Sequence, residues 1–228
     1  MAQFTGSRLT CQRGHRLVFT GLDFTVAAGD ALVLLGPNGS GKSSLLRMMA
    51  GLLRPLAGSM LWDGVAVADD PDHHRGRLHY VGHLDAVKPV LTAQENLAFW
   101  AGLAGVADPQ ARARQALAAF EVPHIADVPG RYLSAGQKRR VNLVRVLAAE
   151  APLWLLDEPS VALDRTAIAC LEQAIARHRA AGGLVVLSTH AEITLTAARS
   201  LHLDAFTPQR RWHDDDADES EDGDYEVA

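Results

Sequence analysis

The sequence predicts an α/β fold with a mainly parallel β-sheet covered by helices. Four short apolar runs are typical of buried parallel strands, and they lie at residues 31–35, 78–81, 153–156 and 184–187. Longer segments with helical periodicity separate these runs, as the crossover connections of a parallel sheet require. The 228 residues are 48% hydrophobic and 21% charged, which excludes a fibrous, collagen-like or wholly disordered chain.

The segment between residues 92 and 145 differs from the rest, because it carries helix signals and no strand signals. Its N-terminal capping signals are T-x-x-E at Thr92 and Glu95, Asp108 followed by Pro109, and S-x-x-Q at Ser134 and Gln137. The sequence therefore predicts a helical insertion within the sheet domain. A further Ala-rich helix is predicted from about residue 164 to 181, where Gly182 and Gly183 end it.

Composition limits where the chain acts. The longest apolar stretch without a charge is residues 96–107, shorter than the ~20 residues that a membrane-spanning helix needs. The N-terminus has no apolar segment of the kind that directs secretion. The two cysteines, Cys11 and Cys170, are too few for a disulfide framework and suit a reducing compartment. We therefore expect a cytoplasmic protein that does not insert into a membrane.

The charged residues are distributed unevenly along the chain. Residues 214–226 contain nine acidic side chains and no basic ones, whereas the preceding part is mildly basic. Because such a run repels itself and cannot form a core, we expect residues 206–228 to be a disordered, solvated tail after a folded domain of residues 1–205. A specific docking tail is the alternative. The basic residues form no run beyond residues 138–140, which argues against nucleic-acid binding.

A phosphate-binding loop is predicted at residues 36–43, which match G-x-x-x-x-G-K-[ST] between an apolar strand and a helical segment at 44–53. Glycines let such a loop direct its backbone N–H groups at phosphate oxygens, and the helix N-terminus adds a positive dipole end. The lysine would contact the β- and γ-phosphates and the serine hydroxyl would bind Mg²⁺. The candidate binding residues are Gly36, Pro37, Asn38, Gly39, Ser40, Gly41, Lys42, Ser43 and Ser44.

Two carboxylates follow the apolar strand at residues 153–156. Strand ends at the carboxyl edge of a parallel sheet are where ligands bind, so Asp157 and Glu158 are expected beside the phosphate loop. Asp157 would hold Mg²⁺ through water, and Glu158 is our candidate general base for an attacking water. Taken alone, the pair is more typical of two solvated acids at a strand end than of a catalytic pair. The phosphate loop upstream favours the catalytic interpretation.

Leu133-Ser134-Ala135-Gly136-Gln137 resembles the signature sequence of the ABC-type ATPases. This resemblance implies that Ser134, Gly136 and Gln137 contact ATP held by a second protomer, in a head-to-tail homodimer that forms on ATP. A serine cap followed by small residues also leaves N–H groups accessible to a phosphate. His190 resembles the switch histidine of the family, which would orient water together with Glu158. Residues 162–164, ending in Asp164, resemble the loop that crosses the dimer interface.

The resemblance implies a P-loop NTPase fold of the ABC type, with a parallel core, an antiparallel β edge and an inserted helical subdomain. Two positions depart from the family pattern. His83 stands where most members have a glutamine; an imidazole suits softer metals than Mg²⁺, whereas a role in coupling to a membrane partner needs only surface contact. Arg13 stands where many members stack an aromatic ring on adenine, and its planar guanidinium can also stack.

A wider run resembles the haem-exporter ATP-binding subunits of the cytochrome c biogenesis (Ccm) system. It comprises Gly82-His83, Lys88, Leu91-Thr92 and Glu95-Asn96-Leu97. The resemblance implies an ATPase that uses ATP and Mg²⁺, has separate integral membrane subunits as partners and sits peripherally on the cytoplasmic face of the inner membrane. It would drive haem export or release of a haem-loaded chaperone.

Three alternatives stay open. A soluble ABC-type ATPase that remodels nucleic acid or ribosomes would be expected to carry two ATPase units, long inserts or basic surfaces, which this sequence lacks. An ATP-binding subunit of an unrelated exporter would share every ATPase motif. A non-hydrolysing adaptor would be expected to have lost the lysine or the base, and both are present.

Overall fold

The structure is a computed structural model that describes residues 2–189 and 193–208. Strands in these residues form one parallel and one antiparallel sheet. In chain order they are β1 (Gln3–Arg13), β2 (Arg16–Ala27), β3 (Ala31–Leu35), β4 (Ala57–Trp62), β5 (Val65–Ala66), β6 (Leu78–Val81), β7 (Leu153–Asp157), β8 (Leu184–Ser188) and β9 (Arg199–His202). The four strands predicted from apolar runs are β3, β6, β7 and β8.

Six α-helices lie in the described residues. They are α1 (Lys42–Met49), α2 (Pro71–Gly76), α3 (Ala93–Leu103), α4 (Pro109–Ala119), α5 (Ala135–Ala148) and α6 (Arg165–Ala180), with 3-10 turns at Pro123–Ile125, Gly130–Tyr132 and Leu203–Phe206. The predicted capping boxes at the starts of α3 and α5 are confirmed, and an aspartate caps each of α4 and α6. The predicted helix at 44–53 was misplaced: α1 starts at Lys42 and ends before Gly51, whose φ of 68° stops it.

The parallel sheet has the strand order β6-β7-β8-β3-β9, and each neighbouring pair is parallel. Every residue of β7 and β8 is buried, because helices or strands cover both faces. Successive residues of β7 point to opposite faces: Trp154 and Leu156 belong to one apolar cluster, Leu153 and Leu155 to the other. The α/β class predicted from the sequence is therefore confirmed.

The antiparallel sheet has the order β2-β1-β4-β5 and packs over α1. It provides the antiparallel edge that the resemblance implies. Its central strand, β1, shifts register against both neighbours. At Gly58 of β4, a Cβ atom would lie 2.5 Å from the carbonyl oxygen of Arg8, and φ is 91°, so only glycine fits there.

The helices between β6 and β7 form the predicted insertion. Buried side chains of α3, α4 and α5, among them Leu97, Leu117 and Leu143, pack in the same cluster as one face of the parallel sheet. The chain stays packed against the other cluster as far as Phe206, whereas residues 209–228, and with them most of the predicted acidic tail, lie outside the described residues. Among the helices described, none combines the length and apolar character that crossing a bilayer demands.

His74 of α2 is a buried titratable group in the contact between α1 and the antiparallel sheet. The residue is 1% exposed, its Nε2 donates to the carbonyl oxygen of Met49 at 2.7 Å, and its ring centroid lies 5.4 Å from that of Phe4. Burial lowers the pKa of His74, and the positive charges of Arg77 and Arg75 lower it further, against the hydrogen bond to Met49. The folded state therefore disfavours protonation of this ring.

The free energy of unfolding should fall as the pH is lowered from 7.5 to 5.5. The reason is that His74 binds a proton near pH 6.5 in the unfolded chain, whereas its lowered pKa disfavours this in the folded chain. Burial also lowers the pKa values of His79 and His178, which add to the slope. In denaturant titrations, His74→Gln should show a shallower fall than the unsubstituted chain. His15→Gln, at an exposed position, is the control and should keep the full slope. An unchanged slope in His74→Gln would contradict this account.

Candidate nucleotide-binding and hydrolysis site

The predicted phosphate loop lies between β3 and α1 at the carboxyl edge of the parallel sheet. Gly36, Gly39 and Gly41 have φ values of 138°, 81° and 106°, which side chains disfavour. A Cβ at Gly36 would also lie 2.8 Å from the Ser40 hydroxyl, so a side chain there would require Ser40 to move. The glycines are thus required by the backbone path, as the motif predicts.

Lys42 extends over the loop that precedes it. Its ammonium donates to the carbonyl oxygens of Gly36 at 2.7 Å and Pro37 at 3.2 Å, and the residue is 7% exposed. These contacts hold a positive charge above the N-terminus of α1, where the dipole also favours an anion. The arrangement suits the phosphates of a nucleotide.

Asp157 lies at the end of β7, within hydrogen-bond distance of two hydroxyl groups. Its Oδ1 accepts from Ser43 Oγ at 3.0 Å and from Ser188 Oγ at 2.8 Å. Its Oδ2 is buried and has no hydrogen-bond partner among the described residues. A buried carboxylate oxygen without a partner, beside a serine hydroxyl, is a donor set of the hard oxygen type that Mg²⁺ prefers. The residues present therefore fit the predicted ion.

Ser188 is a site residue that sequence reasoning missed. It pairs with Asp157 in the parallel register, and both its hydroxyl and its carbonyl oxygen accept from the Glu158 N–H, at 3.0 and 3.2 Å. The available signal was a polar residue ending an otherwise apolar strand next to the acidic strand. Glu158 itself has a φ of 49°, so its backbone is held in a region that few non-glycine residues adopt.

A cleft of about 540 Å³ opens beside the phosphate loop. From the loop and α1 it is lined by Asn38, Gly39, Gly41, Lys42, Ser43 and Ser44. Arg13, His83 and Glu158 line it from three other parts of the chain, so the structure brings these predicted residues together. Arg16 and Val18 also line it and were missed, because their strand was not predicted; Arg16 pairs with Arg13 across the β1–β2 turn.

The signature segment lies apart from this cleft. Ser134 and Gln137 form a reciprocal capping box: Gln137 N–H donates to Ser134 Oγ at 3.2 Å and Ser134 N–H to Gln137 Oε1 at 2.9 Å. A Cβ at Gly136 would lie 3.4 Å from the carbonyl oxygen of Ala162. The signature helix α5 is therefore packed beside the loop at 162–164, and none of these residues lines the cleft described above.

Asp164 connects the same two segments. Its Oδ1 accepts from the Ala167 N–H at 2.9 Å at the start of α6, and its Oδ2 forms an ion pair with Arg140 of α5. The Ala167 N–H and the Arg140 charge lower the pKa of Asp164. His190, the predicted switch histidine, lies outside the described residues.

The fold and this site define a nucleotide-binding ATPase of the P-loop type. The family model described as "ABC transporter" matches residues 19–161, and the chain belongs to this family. A solved chain titled "Structure of ATP binding subunit of ABC transporter" superposes with a TM-score of 0.75 at 28% identity, over 82% of this chain and 79% of that one. The prediction of an ABC-type ATPase is confirmed.

Curated relatives indicate which branch of this family the chain resembles. A "Cytochrome c biogenesis ATP-binding export protein CcmA" from Rhodospirillum rubrum is 62% identical over 207 residues, 91% of this chain and 88% of the relative. Its namesake from Paramagnetospirillum magneticum is 59% identical over 208 residues, 89% of this chain and 94% of the relative. The predicted similarity to this branch of the family is also confirmed.

Lys42→Ala should weaken binding of a fluorescent ATP analogue by at least about tenfold and abolish turnover, because it removes the charged donor above the loop. The control is Lys88→Ala, which removes a lysine that lies over the ring of Phe99, 4.8 Å from its centroid, and not in the cleft. Fluorescence titration should give equal affinities for Lys88→Ala and the unsubstituted chain. Tight binding by Lys42→Ala would refute the assignment.

Proposed function

We propose that this chain is the ATP-hydrolysing subunit of a membrane exporter that serves cytochrome c biogenesis, and that it drives haem export or release of a haem-loaded chaperone. The site supports the ATPase half of this proposal, because one cleft brings together the phosphate loop and Glu158. Relatives up to 62% identical that are named as cytochrome c biogenesis ATP-binding export proteins support the cytochrome c half. None of the three alternatives explains both the ATPase site and the similarity to these relatives.

In the proposed reaction, the loop and Lys42 bind the triphosphate and fix its γ-phosphate at the carboxyl edge of the sheet. Ser43 and Asp157 would hold Mg²⁺, which when bound neutralises charge on the phosphate oxygens. Glu158 accepts a proton from water as the water oxygen bonds to the γ-phosphorus. The bond from that phosphorus to the bridging oxygen breaks, leaving ADP and phosphate.

Two copies of the chain are needed in this proposal. The capping box at Ser134 and Gln137 leaves the start of α5 open to a phosphate, yet this segment lies outside the cleft of its own chain. A head-to-tail homodimer would bring the signature of one copy to the nucleotide of the other, with Asp164 near the contact. His190 is proposed to act with Glu158 on the attacking water.

We propose integral membrane subunits as partners, with the chain bound peripherally at the cytoplasmic face of the inner membrane. An apolar surface near His83 supports this, since Leu84, Val90 and Tyr132 are 84%, 76% and 68% exposed. Val90 and Tyr132 lie on segments joined by a hydrogen bond from Arg131 N–H to the carbonyl oxygen of Pro89 at 2.9 Å. His83 would couple this surface to the cleft that it lines.

Glu158→Gln should bind ATP as tightly as the unsubstituted chain but hydrolyse it at least about a hundredfold more slowly, because the amide cannot accept the proton. It should therefore accumulate as an ATP-bound dimer, measurable by size-exclusion chromatography with light scattering. Adding Lys42→Ala to the same chain should return it to monomers. Hydrolysis by Glu158→Gln at the original rate would disprove the assignment of the base.

In a bacterium that lacks its own cytochrome c biogenesis ATP-binding subunit, this chain should restore haem-bearing c-type cytochromes, detected by haem staining. Glu158→Gln should fail to do so while still co-purifying with the membrane subunits. Active, membrane-bound chain that restores no cytochrome would favour an unrelated exporter, and active chain that binds no membrane subunit would favour a soluble remodelling ATPase.

His83→Ala should lose more of the partner-stimulated turnover than of the basal turnover.

A further inference from the structure

A buried arginine on α5 joins two segments that the proposed reaction uses. Arg139 is 4% exposed, and its Nη2 donates to the carbonyl oxygens of Asp157 at 2.9 Å and Glu158 at 2.7 Å. Its Nη1 donates to the carbonyl oxygen of Gly82 at 2.8 Å. One guanidinium therefore fixes the spacing between the end of β7 and the segment that follows β6.

Contacts on both sides hold the Glu158 backbone, among them a hydrogen bond from the Val161 N–H to its carbonyl oxygen at 3.3 Å. Its φ of 49° is disfavoured for a residue with a side chain, so the surrounding contacts must hold it. Ser188 accepts from its N–H on one side, and Arg139 donates to its carbonyl oxygen on the other. The direction of the carboxylate depends on the orientation of this peptide group.

The contact with the other segment is reinforced by two further side chains. Arg139 Nη1 lies 3.7 Å from Asp85 Oδ1, and Asn142, one turn further along α5, donates to the same oxygen at 3.4 Å. Asn142 also accepts from the Ala86 N–H at 3.4 Å. The inner face of α5 thus holds residues 82–86, which include His83.

Only an arginine can make this set of contacts. A guanidinium presents five donors in a fixed plane, whereas a lysine ammonium is a single point with three. Burial lowers the pKa of Arg139, and the negative charges of Asp85, Asp157 and Glu158 oppose that shift. Arg139 does not line the nucleotide cleft, so it acts through the groups that do.

We propose that Arg139 is a positioning residue for ATP hydrolysis: it orients Glu158 towards the bound nucleotide and ties it to the segment that carries His83. This inference rests on the proposed function, in which Glu158 is the base. Because Arg139 does not itself line the cleft and reaches it only through the Glu158 backbone, its loss should change the rate of the chemical step and leave nucleotide affinity intact.

The test measures steady-state hydrolysis and nucleotide affinity for Arg139→Gln and Arg139→Lys in the full chain. Both should lower kcat by about ten- to a hundredfold, the effect of a small misplacement of a catalytic group, with KM and Kd for ATP within about twofold. Arg139→Lys keeps the positive charge and most of the volume, and so supplies folded protein if Arg139→Gln does not fold.

The matched control is Arg145→Gln. Arg145 lies on the same helix and is partly buried, but it donates to the Tyr80 carbonyl oxygen and lies over the Trp100 ring, away from the β7 end. It should lower thermal stability and keep the original kcat below its melting temperature. An equal kcat loss in Arg145→Gln, or parallel changes of kcat and KM in the Arg139 variants, would assign Arg139 a merely structural role.

Glu158→Gln, measured in parallel, separates the two levels of the proposal. If it hydrolyses ATP at the original rate, the assignment of the base fails, and the inference about Arg139 fails with it. If it is inactive while Arg139→Gln and Arg139→Lys keep full kcat, only the positioning role is overturned. If Glu158→Gln is inactive, the two Arg139 variants show the expected loss of kcat and all three bind ATP normally, the positioning role is supported.

Discussion

The parallel register of β7, β8 and β3 is the constraint on which the rest of the site depends. Ser188 of β8 pairs with Asp157 on one side and with Leu34 on the other, so the three strands end at one level. The phosphate loop follows β3 directly, which lets Ser43 and Ser188 donate to the same carboxylate oxygen. A shift of one residue in β7 would turn Asp157 to the opposite face and bury an acid in an apolar cluster.

Much of the fold could be predicted from the sequence, since it depends on local patterns. Buried parallel strands are continuous apolar runs, and helix starts have capping residues within four positions, as at Thr92 and Ser134. The antiparallel sheet was expected only from the family resemblance, and local patterns could not locate its strands, because β1 changes register and mixes exposed with buried residues irregularly. The short strand β9 has one apolar residue that faces the core, Leu201, and therefore no readable pattern.

The site, too, could be predicted only where it depends on local sequence. The phosphate loop and the acidic pair are each a continuous segment of sequence, so the chemistry of each could be predicted before the fold was known. Ser188 and Arg139 were not recognised, because their partners are brought to them by strand pairing and by the packing of α5. Arg139 is the middle one of three consecutive basic residues at 138–140, and only its burial distinguishes it from the other two. Sequence motifs thus reveal candidate ligand-contacting residues more readily than the residues that position them.

The contact between Gly41 and β2 has a consequence for how the two sheets cooperate. A Cβ at Gly41 would lie 2.7 Å from atoms of both Val18 and Phe19, so the loop backbone touches the antiparallel sheet directly. Arg13, the candidate contact for the adenine ring, belongs to that sheet, whereas Lys42 follows the phosphate loop. The distance between Arg13 and Lys42 thus depends on how closely the loop backbone approaches Val18 and Phe19, and side-chain volume at these two positions limits that approach.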